Sequence, residues 1–312
     1  SYSSPDLGLT LHYLNYSYPG IGNSLSAFAF AEKRFRFAES PFGLKAHLGM
    51  GIIWVQEVFD IETNLSSQTV SSQLNQGYDI RLGVDYQLNL KSSLELGYNF
   101  FHASNMGLLK PNFGLNVPGA YLRYTHRLRE VKNPITWTPA SERAPFEWLL
   151  YYNMGFRQII YDDPVYFVHN LNLEFSYKAN AVLNVTAGAS VFQEGIANEL
   201  EQYDAHYDFG LYSPFSLEQV SMGPYLGGEL FVGDFSAFGQ LGYYLFHPHR
   251  KALARDDVSK QLVDYTDYYN PSYFFNRIGL RYRAGKHWLF SFSGKFQLTK
   301  IQYPELGFGY RF

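Results

Sequence analysis

Hydrophobic and polar residues alternate along most of the chain, and the segment from Tyr78 to Leu88 shows the alternation most clearly. Every second residue there is large and apolar, while the residues between, such as Asp79 and Arg81, are polar or glycine. Successive side chains of a β-strand point to opposite faces of the sheet, so this pattern predicts a strand with one apolar and one polar face. The same alternation recurs at 167–178, 181–191 and 288–298. The chain is therefore predicted to be all-β.

Alternation alone fits two architectures. A soluble sandwich buries its apolar faces, whereas a lipid-embedded barrel turns them outward and keeps the polar faces inside. Aromatic residues make up 19% of the chain, which suits the aromatic girdles of a membrane barrel. Residues 306–312 alternate large apolar side chains with Gly and Arg, and they resemble the last strand of bacterial outer-membrane β-barrels. We therefore predict a single transmembrane antiparallel β-barrel domain over 1–312, in the bacterial outer membrane.

About 14 strands are predicted, an even number as is typical of single-chain bacterial barrels, with an error of about two to four residues at each end. They cover 6–17, 24–37, 43–59, 78–90, 92–105, 117–130, 147–161, 166–179, 181–194, 217–232, 234–247, 271–284, 286–299 and 302–312. The short connections are predicted to face the periplasm and the longer ones the cell exterior. The connection 131–146 is long for the periplasmic side and is interpreted as an ordered loop, a plug or a docking segment.

Composition excludes several other classes of protein. The chain has no cysteine, so it has neither disulfides nor cysteine-ligated metal sites. A net charge of −3 argues against a nucleic-acid partner. No apolar run approaches the roughly 18 residues that a membrane helix needs, so membrane insertion would depend on strands. The chain is expected to be mature or trimmed, because a secreted barrel would have lost its signal peptide.

Charged residues of both signs follow the polar faces of the predicted strands. They are Asp79, Arg81, Asp85, Glu95, Arg123, Arg127, Glu174, Arg277, Arg281 and Lys295. Inside a barrel they would form a salt-bridged network or line an aqueous path. Buried charges need partners, so the network is the preferred interpretation.

The predicted strand 92–105 carries polar residues on its apolar side. Leu96 and Tyr98 lie on the same face as His102 and Ser104, which would put an imidazole and a hydroxyl on the outside of the barrel at the level of the outer leaflet. Two residues on one strand face lie about 7 Å apart, and their side chains can lean together. A histidine can take the proton that keeps a serine from acting as a nucleophile. The Gly- and Asn-rich segment 105–116 could turn backbone N–H groups toward an oxyanion.

His102-Ala103-Ser104-Asn105, followed by Pro111-Asn112-Phe113-Gly114, resembles the H-x-S-N … P-N-x-G signature of the PagL-like lipid A deacylases, the outer-membrane acyloxyacyl hydrolase family. The resemblance covers residues 98–121. It implies that Ser104 is the nucleophile and His102 the base. It also implies that Asn105, Gly107, Asn112 and Gly114 belong to an oxyanion loop.

The family's acidic residue, which orients the histidine, falls on Asn116 in this chain. An asparagine can accept a hydrogen bond from the imidazole and fix its tautomer, but it has no charge to stabilise imidazolium. Glu62 and Asp79 are alternative acids from neighbouring elements. The simpler alternative is that His102 and Ser104 are ordinary interfacial residues at the end of a strand.

Three functions are compatible with the sequence. The first is an outer-membrane serine esterase that hydrolyses an acyl ester of lipid A without a cofactor, its partners being lipid A, lipopolysaccharide and other outer-membrane lipids. The second is an inactive deacylase-like barrel that serves as accessory subunit of a larger outer-membrane complex. The third is a channel for solutes or fatty acids.

No metal site is predicted. Two groups of residues could hold a cation, but a polar surface loop is the preferred interpretation of both. The first is His247 and His249 with Asp256 and Asp257, and the second is Asp204, His206 and Asp208.

Overall fold

The computed structural model describes residues 5–37, 40–128, 144–158, 165–194, 220–247, 273–297 and 300–312. Within these ranges the chain forms fourteen strands. They are β1 (Asp6–Asn15), β2 (Asn23–Arg36), β3 (Phe42–Val55), β4 (Leu74–Gln87), β5 (Ser92–Ser104), β6 (Leu115–His126), β7 (Phe146–Arg157), β8 (Tyr166–Lys178), β9 (Leu183–Glu194), β10 (Val220–Val232), β11 (Phe235–Tyr243), β12 (Phe274–Ala284), β13 (Trp288–Gln297) and β14 (Lys300–Arg311). The predicted all-β class and strand count are confirmed. The described ranges contain no helix that is long and apolar enough to cross a membrane.

Strand pairing divides the fourteen strands between two compact units, 1–137 and 138–312. Strands β1 to β6 form one antiparallel sheet in chain order, and β7 to β14 form a closed barrel. The closed barrel thus contains eight of the fourteen strands, and the single domain over 1–312 stays a prediction. The pairing of the strands could not be predicted, because alternation reports which face a residue occupies and not which strands pair.

The six-stranded sheet exposes its apolar residues and buries its charged ones. Leu82 and Leu96 are 62% and 64% exposed, whereas Asp79 and Glu95, on the opposite side, are 1% exposed. We call these two sides the apolar face and the charged face of the sheet. This distribution is the reverse of a soluble sandwich and is typical of a transmembrane barrel. It decides between the two architectures that alternation had left open.

Ion pairs join the side chains of the charged face. Lys45 Nζ lies 3.2 Å from carboxylate oxygens of both Asp85 and Glu95. Arg123 bridges Glu95 and Glu32, two residues that belong to different strands. Each buried charge therefore has a partner of opposite sign, as a stable interior requires.

One end of the charged face is apolar rather than charged. Its core contains Ile21, Phe28, Ile53, Val55, Val70, Phe101, Ala103 and Leu115. Phe101, Ala103 and Leu115 alternate along β5 and β6 with the residues of the apolar face. Packing of this core therefore fixes the ends of these two strands, where the candidate site lies.

The eight-stranded barrel closes through β14, which pairs with β13 and with β7. Its inward side chains are ion-paired and buried. Arg281 Nη1 lies 2.7 Å from Glu174, and Arg277 Nε lies 2.5 Å from Glu305, with all four side chains fully buried. Eight strands enclose a space that side chains just fill. The predicted salt-bridged network is therefore present among the described residues of this interior.

Glu174 is the acceptor at the centre of this network, and its replacement by alanine is expected to destabilise the barrel. Its carboxylate accepts hydrogen bonds from Arg281, Tyr225 and Gln240. Removing one partner of a buried ion pair typically lowers the free energy of unfolding by about 3–5 kcal/mol. Urea unfolding in detergent micelles would measure the loss. The exposed Glu62→Ala variant is the control, and equal midpoints for the two variants would contradict the prediction.

Candidate functional site

Strands β5 and β6 bring His102 and Asn116 side by side. The two residues are directly paired in the antiparallel register, and both lie on the apolar face. His102 Nδ1 is 2.8 Å from Asn116 Oδ1. The asparagine therefore occupies the position from which a residue can orient the imidazole, next to the ring.

The orientation of the Asn116 amide defines the tautomer of His102. Asn116 Nδ2 donates to the carbonyl oxygen of Gly114 at 3.3 Å, so Oδ1 is the atom that faces the imidazole. An amide oxygen only accepts, and Nδ1 of His102 must therefore carry the proton. Nε2 is then the basic nitrogen of the ring. This is the tautomer that a general base needs.

Ser104 is the last residue of β5 and is 4% exposed. Its Oγ accepts two hydrogen bonds, one from the backbone N–H of Met106 and one from Asn112 Nδ2, each 2.9 Å long. It shares the apolar face with His102, about 7 Å along the strand. In the described ranges no hydrogen bond joins the two residues, and such bonds often tighten only when substrate binds.

A tight turn directly after Ser104 aims the Met106 N–H at the hydroxyl. Met106 and Gly107 have φ values of +59° and +83°, and the Leu108 N–H donates to the Asn105 carbonyl at 3.1 Å. Two consecutive positive φ values with this hydrogen bond are the pattern of a type I′ turn. A non-glycine residue such as Met106 adopts this conformation at a cost of about 1–3 kcal/mol, and residues of this kind cluster at functional sites.

Asn105 holds the loop together rather than facing Ser104. Its Oδ1 accepts from the Gly107 N–H at 3.0 Å, and its Nδ2 donates to the Leu109 carbonyl at 2.9 Å. Its backbone N–H donates to Asn112 Oδ1, and this bond directs the Asn112 amide nitrogen toward Ser104. Of the residues predicted for the oxyanion loop, Asn112 contacts the serine directly. The N–H of Gly107 is engaged within the loop, and that of Met106 points at the serine in its place.

The loop is also fastened to the connection between β3 and β4. The N–H groups of Phe113 and Gly114 donate to the carbonyls of Gln68 and Thr69, at 3.3 and 2.8 Å. Asn105 Nδ2 reaches Ser71 Oγ at 3.2 Å. The connection between β3 and β4 thus holds the loop that follows Ser104 against the end of the sheet.

Gly114 is required by its backbone conformation and by the histidine. Its φ is +77°, and a Cβ at this position would lie 2.9 Å from His102 Cε1. Gly114→Ala is therefore expected to displace the imidazole and to lower the rate of ester hydrolysis roughly 100-fold. Hydrolysis of a chromogenic ester would measure the loss. Gly239→Ala is the control, because a Cβ there meets nothing within 4 Å, and equal activity of both variants would contradict the prediction.

The two alternative acids do not contact His102. Asp79 lies on the charged face, where Arg81 Nε donates to its carboxylate at 3.0 Å and His47 Nε2 lies 3.5 Å away. Glu62 belongs to the turn between β3 and β4, where its N–H donates to Asp60. Asp79 is wrong as a replacement acid. It follows Tyr78, which pairs with His102, and adjacent residues of a strand face opposite sides of the sheet, so its carboxylate points away from the imidazole.

Two residues of the apolar face lie beside the candidate site although the sequence did not predict them there. Gln76 pairs with Ser104 and Tyr78 with His102 in the register between β4 and β5. β4 begins at Leu74, four residues before its predicted start, because the polar run 71–77 has the composition of a loop. The pairing of β4 with β5 is the signal that identifies them.

No group of residues suited to a metal ion occurs in the described part of the chain. His247 Nδ1 bonds to Ser221 Oγ at 2.8 Å. Its suggested partners His249, Asp256 and Asp257 lie outside the described residues, as do Asp204, His206 and Asp208 and most of the connection 131–146.

Two family models match the chain. "Lipid A 3-O-deacylase (PagL)" covers residues 1–125, which include the candidate site, and "Acyloxyacyl hydrolase, C-terminal domain" covers residues 146–312. Among curated protein sequences no match is found.

Solved structures of porins align over nearly the whole chain. A KdgM porin in complex with disordered oligogalacturonate is 11% identical, with 99% of both chains covered and a TM-score of 0.23. A triple mutant of the Rhodopseudomonas blastica porin is 9% identical, with 99% of both chains covered and a TM-score of 0.20. TM-scores this low carry no argument about fold or function. The two family models identify the family. The chain belongs to the PagL acyloxyacyl hydrolase family of the bacterial outer membrane.

Proposed function

We propose that this protein hydrolyses an acyl ester of lipid A in the outer leaflet, with Ser104 as the nucleophile. One observation carries the proposal. The Ser104 hydroxyl is held by two N–H donors, on the same sheet face as an imidazole whose Nδ1 is bonded to Asn116. A nucleophile, a base and a residue that orients the base are the parts that acyl transfer requires. Membership in the PagL family supports lipid A as the substrate.

The reaction would proceed in two halves. His102 Nε2 takes the proton of Ser104, and Oγ attacks the ester carbonyl to form a tetrahedral intermediate. His102 then protonates the departing alcohol, and an acyl-enzyme remains. Water, deprotonated by the same imidazole, attacks this ester and releases the fatty acid, and the proton returns to Ser104.

The donors around Ser104 would stabilise the negative charge of the intermediate. The Met106 N and Asn112 Nδ2 atoms lie 2.9 Å from Oγ. Because Oγ bonds to the carbonyl carbon during attack, the oxygen on that carbon comes within reach of the same two donors. Fixed N–H donors are typically worth 10²–10³-fold each in this role. The loop bonds of Asn105 hold both donors before substrate binds, so little reorganisation is needed.

The apolar face supplies a path for acyl chains. Leu96 and Tyr98 of β5 and Leu122 of β6 are exposed on it, below the catalytic residues. In a membrane this face meets lipid. A lipid A molecule in the outer leaflet could therefore lay its acyl chains along the strands and present an ester laterally to Ser104.

The accessory-subunit hypothesis has one observation in its favour. Asn116 cannot stabilise the imidazolium by charge, and this would slow the reaction. The channel hypothesis has no such support, because buried ion pairs fill the interior of the closed barrel among its described residues.

Purified protein incubated with lipid A tests the proposal. Mass spectra of the lipid are expected to show loss of one acyl chain with wild-type protein and no loss with Ser104→Ala. Ser93→Ala, a serine on the charged face of the same strand, is the control and should retain activity. Unchanged lipid A with folded wild-type protein, together with stoichiometric recovery of partner proteins, would replace the esterase with the accessory subunit.

A further inference from the structure

An unpartnered acceptor lies beside the nucleophile. Gln76 is directly opposite Ser104 in the pairing of β4 with β5, and both side chains are on the apolar face. Side chains opposed in this way have Cβ atoms about 4.5–5.5 Å apart. The end of the Gln76 side chain is thus within reach of a group bonded to the ester that Ser104 attacks.

The two ends of the Gln76 amide differ in their bonding. Its Nε2 donates to the Tyr78 hydroxyl at 2.9 Å. Its Oε1 is buried and has no hydrogen-bond partner among the described residues. Tyr78 itself pairs with His102, and the centroids of their rings lie 6.1 Å apart. In this arrangement the tyrosine hydroxyl occupies the Nε2 end of the amide, and Oε1 is the end left for another molecule.

A buried amide oxygen without a donor is unfavourable, and such groups in native proteins call for an explanation. The nearby polar groups are already occupied. His102 Nδ1 is bonded to Asn116, and the Ser104 proton is needed by the base. A hydroxyl or N–H group of a substrate that enters the site would supply such a donor.

We propose that Gln76 Oε1 accepts a hydrogen bond from a hydroxyl or amide N–H of the substrate close to the scissile ester. Gln76 is then a substrate-binding residue that selects esters carrying such a donor, and Tyr78 is the residue that positions it. The inference rests on the proposed esterase function. It adds a chemical requirement on the substrate, on either its acyl or its alcohol side.

Matched synthetic esters test this requirement. The three esters have equal length. The first carries a hydroxyl on the acyl side, two carbons from the carbonyl, the second carries a hydroxyl on the alcohol side, and the third carries none. Wild-type protein is expected to hydrolyse one of the hydroxylated esters with a kcat/KM roughly tenfold above that of the plain ester, and the side that gains identifies the donor. Gln76→Leu should abolish this preference, and Gln76→Glu, which keeps an acceptor, should retain it.

Two further variants separate binding from folding. Tyr78→Phe removes the partner of Nε2, frees the amide to rotate, and should weaken the preference without changing residue 76. Gln73→Leu is the control, since its side chain is exposed three residues away, and it should keep the wild-type preference. Equal kcat/KM for the three esters with wild-type protein, or a preference that survives in Gln76→Leu, would overturn the inference.

Binding measurements keep the inference separate from the esterase proposal. The same esters are titrated into folded Ser104→Ala protein, with tryptophan fluorescence as the signal. Tighter binding of a hydroxylated ester, lost when Gln76→Leu is added, would support the role of Gln76 even if wild-type protein hydrolysed none of them. Equal binding of all three would overturn it, whether or not the protein is an esterase.

Discussion

Replacing Ser104 by alanine is expected to lower ester hydrolysis by about four to six orders of magnitude while leaving the protein folded. The Ser104 hydroxyl accepts from Met106 and Asn112, and alanine removes the attacking oxygen while leaving these two donors in place. The residual rate over water would come from those donors and from substrate binding. Steady-state kinetics on a chromogenic ester would measure the loss.

His102→Ala should produce a similar loss, and the double variant should be hardly worse than either single variant. A nucleophile and its base act as one unit, so their contributions are not additive. Ser93→Ala, at the other end of β5, should keep the wild-type rate. Losses that simply add in the double variant would show that the two residues act independently, contrary to the proposed mechanism.

Asn116→Leu is expected to lower the rate by roughly 10²–10⁴-fold. Without Oδ1 nothing fixes the proton of His102 on Nδ1, and the loss of the correct tautomer has a cost of this order in serine hydrolases. Asn116→Asp should instead raise the rate, by about tenfold or more, because a carboxylate at the same position stabilises the imidazolium formed during attack.

The control for the added charge is Asn89→Asp in the turn between β4 and β5. Asn89 Oδ1 accepts from the N–H groups of Lys91 and Ser92, and an aspartate can keep both bonds. Its rate should equal that of wild-type protein. A rate for Asn116→Leu that also matches wild type would remove Asn116 from the mechanism.

The strands were predictable because a side-chain period of two is a local property. Among the boundaries that differ from the prediction, the start of β4 is informative, since Asn75 and Gln76 form strand by pairing with residues far along the chain. Local composition cannot report such partners. The division of the strands into a six-stranded sheet and a closed eight-stranded barrel has the same origin.

Part of the candidate site was also visible in the sequence. The contact of His102 with Asn116 follows from the family resemblance, and the geometry agrees with it. The identity of the backbone donor at Ser104 depends on the turn, because the Asn105 side chain engages the Gly107 N–H and leaves that of Met106 for the serine. A Gly-rich loop predicts that such donors exist but not which N–H points at the hydroxyl.

Covalent labelling of the nucleophile tests the central claim most directly. Folded protein is treated with a long-chain alkyl fluorophosphonate, which reacts with serines activated by a base, and the modified peptide is identified by mass spectrometry. The mechanism predicts a single adduct on Ser104, absent in Ser104→Ala and formed far more slowly in His102→Ala. An adduct on another serine, or equal labelling of wild type and His102→Ala, would contradict it.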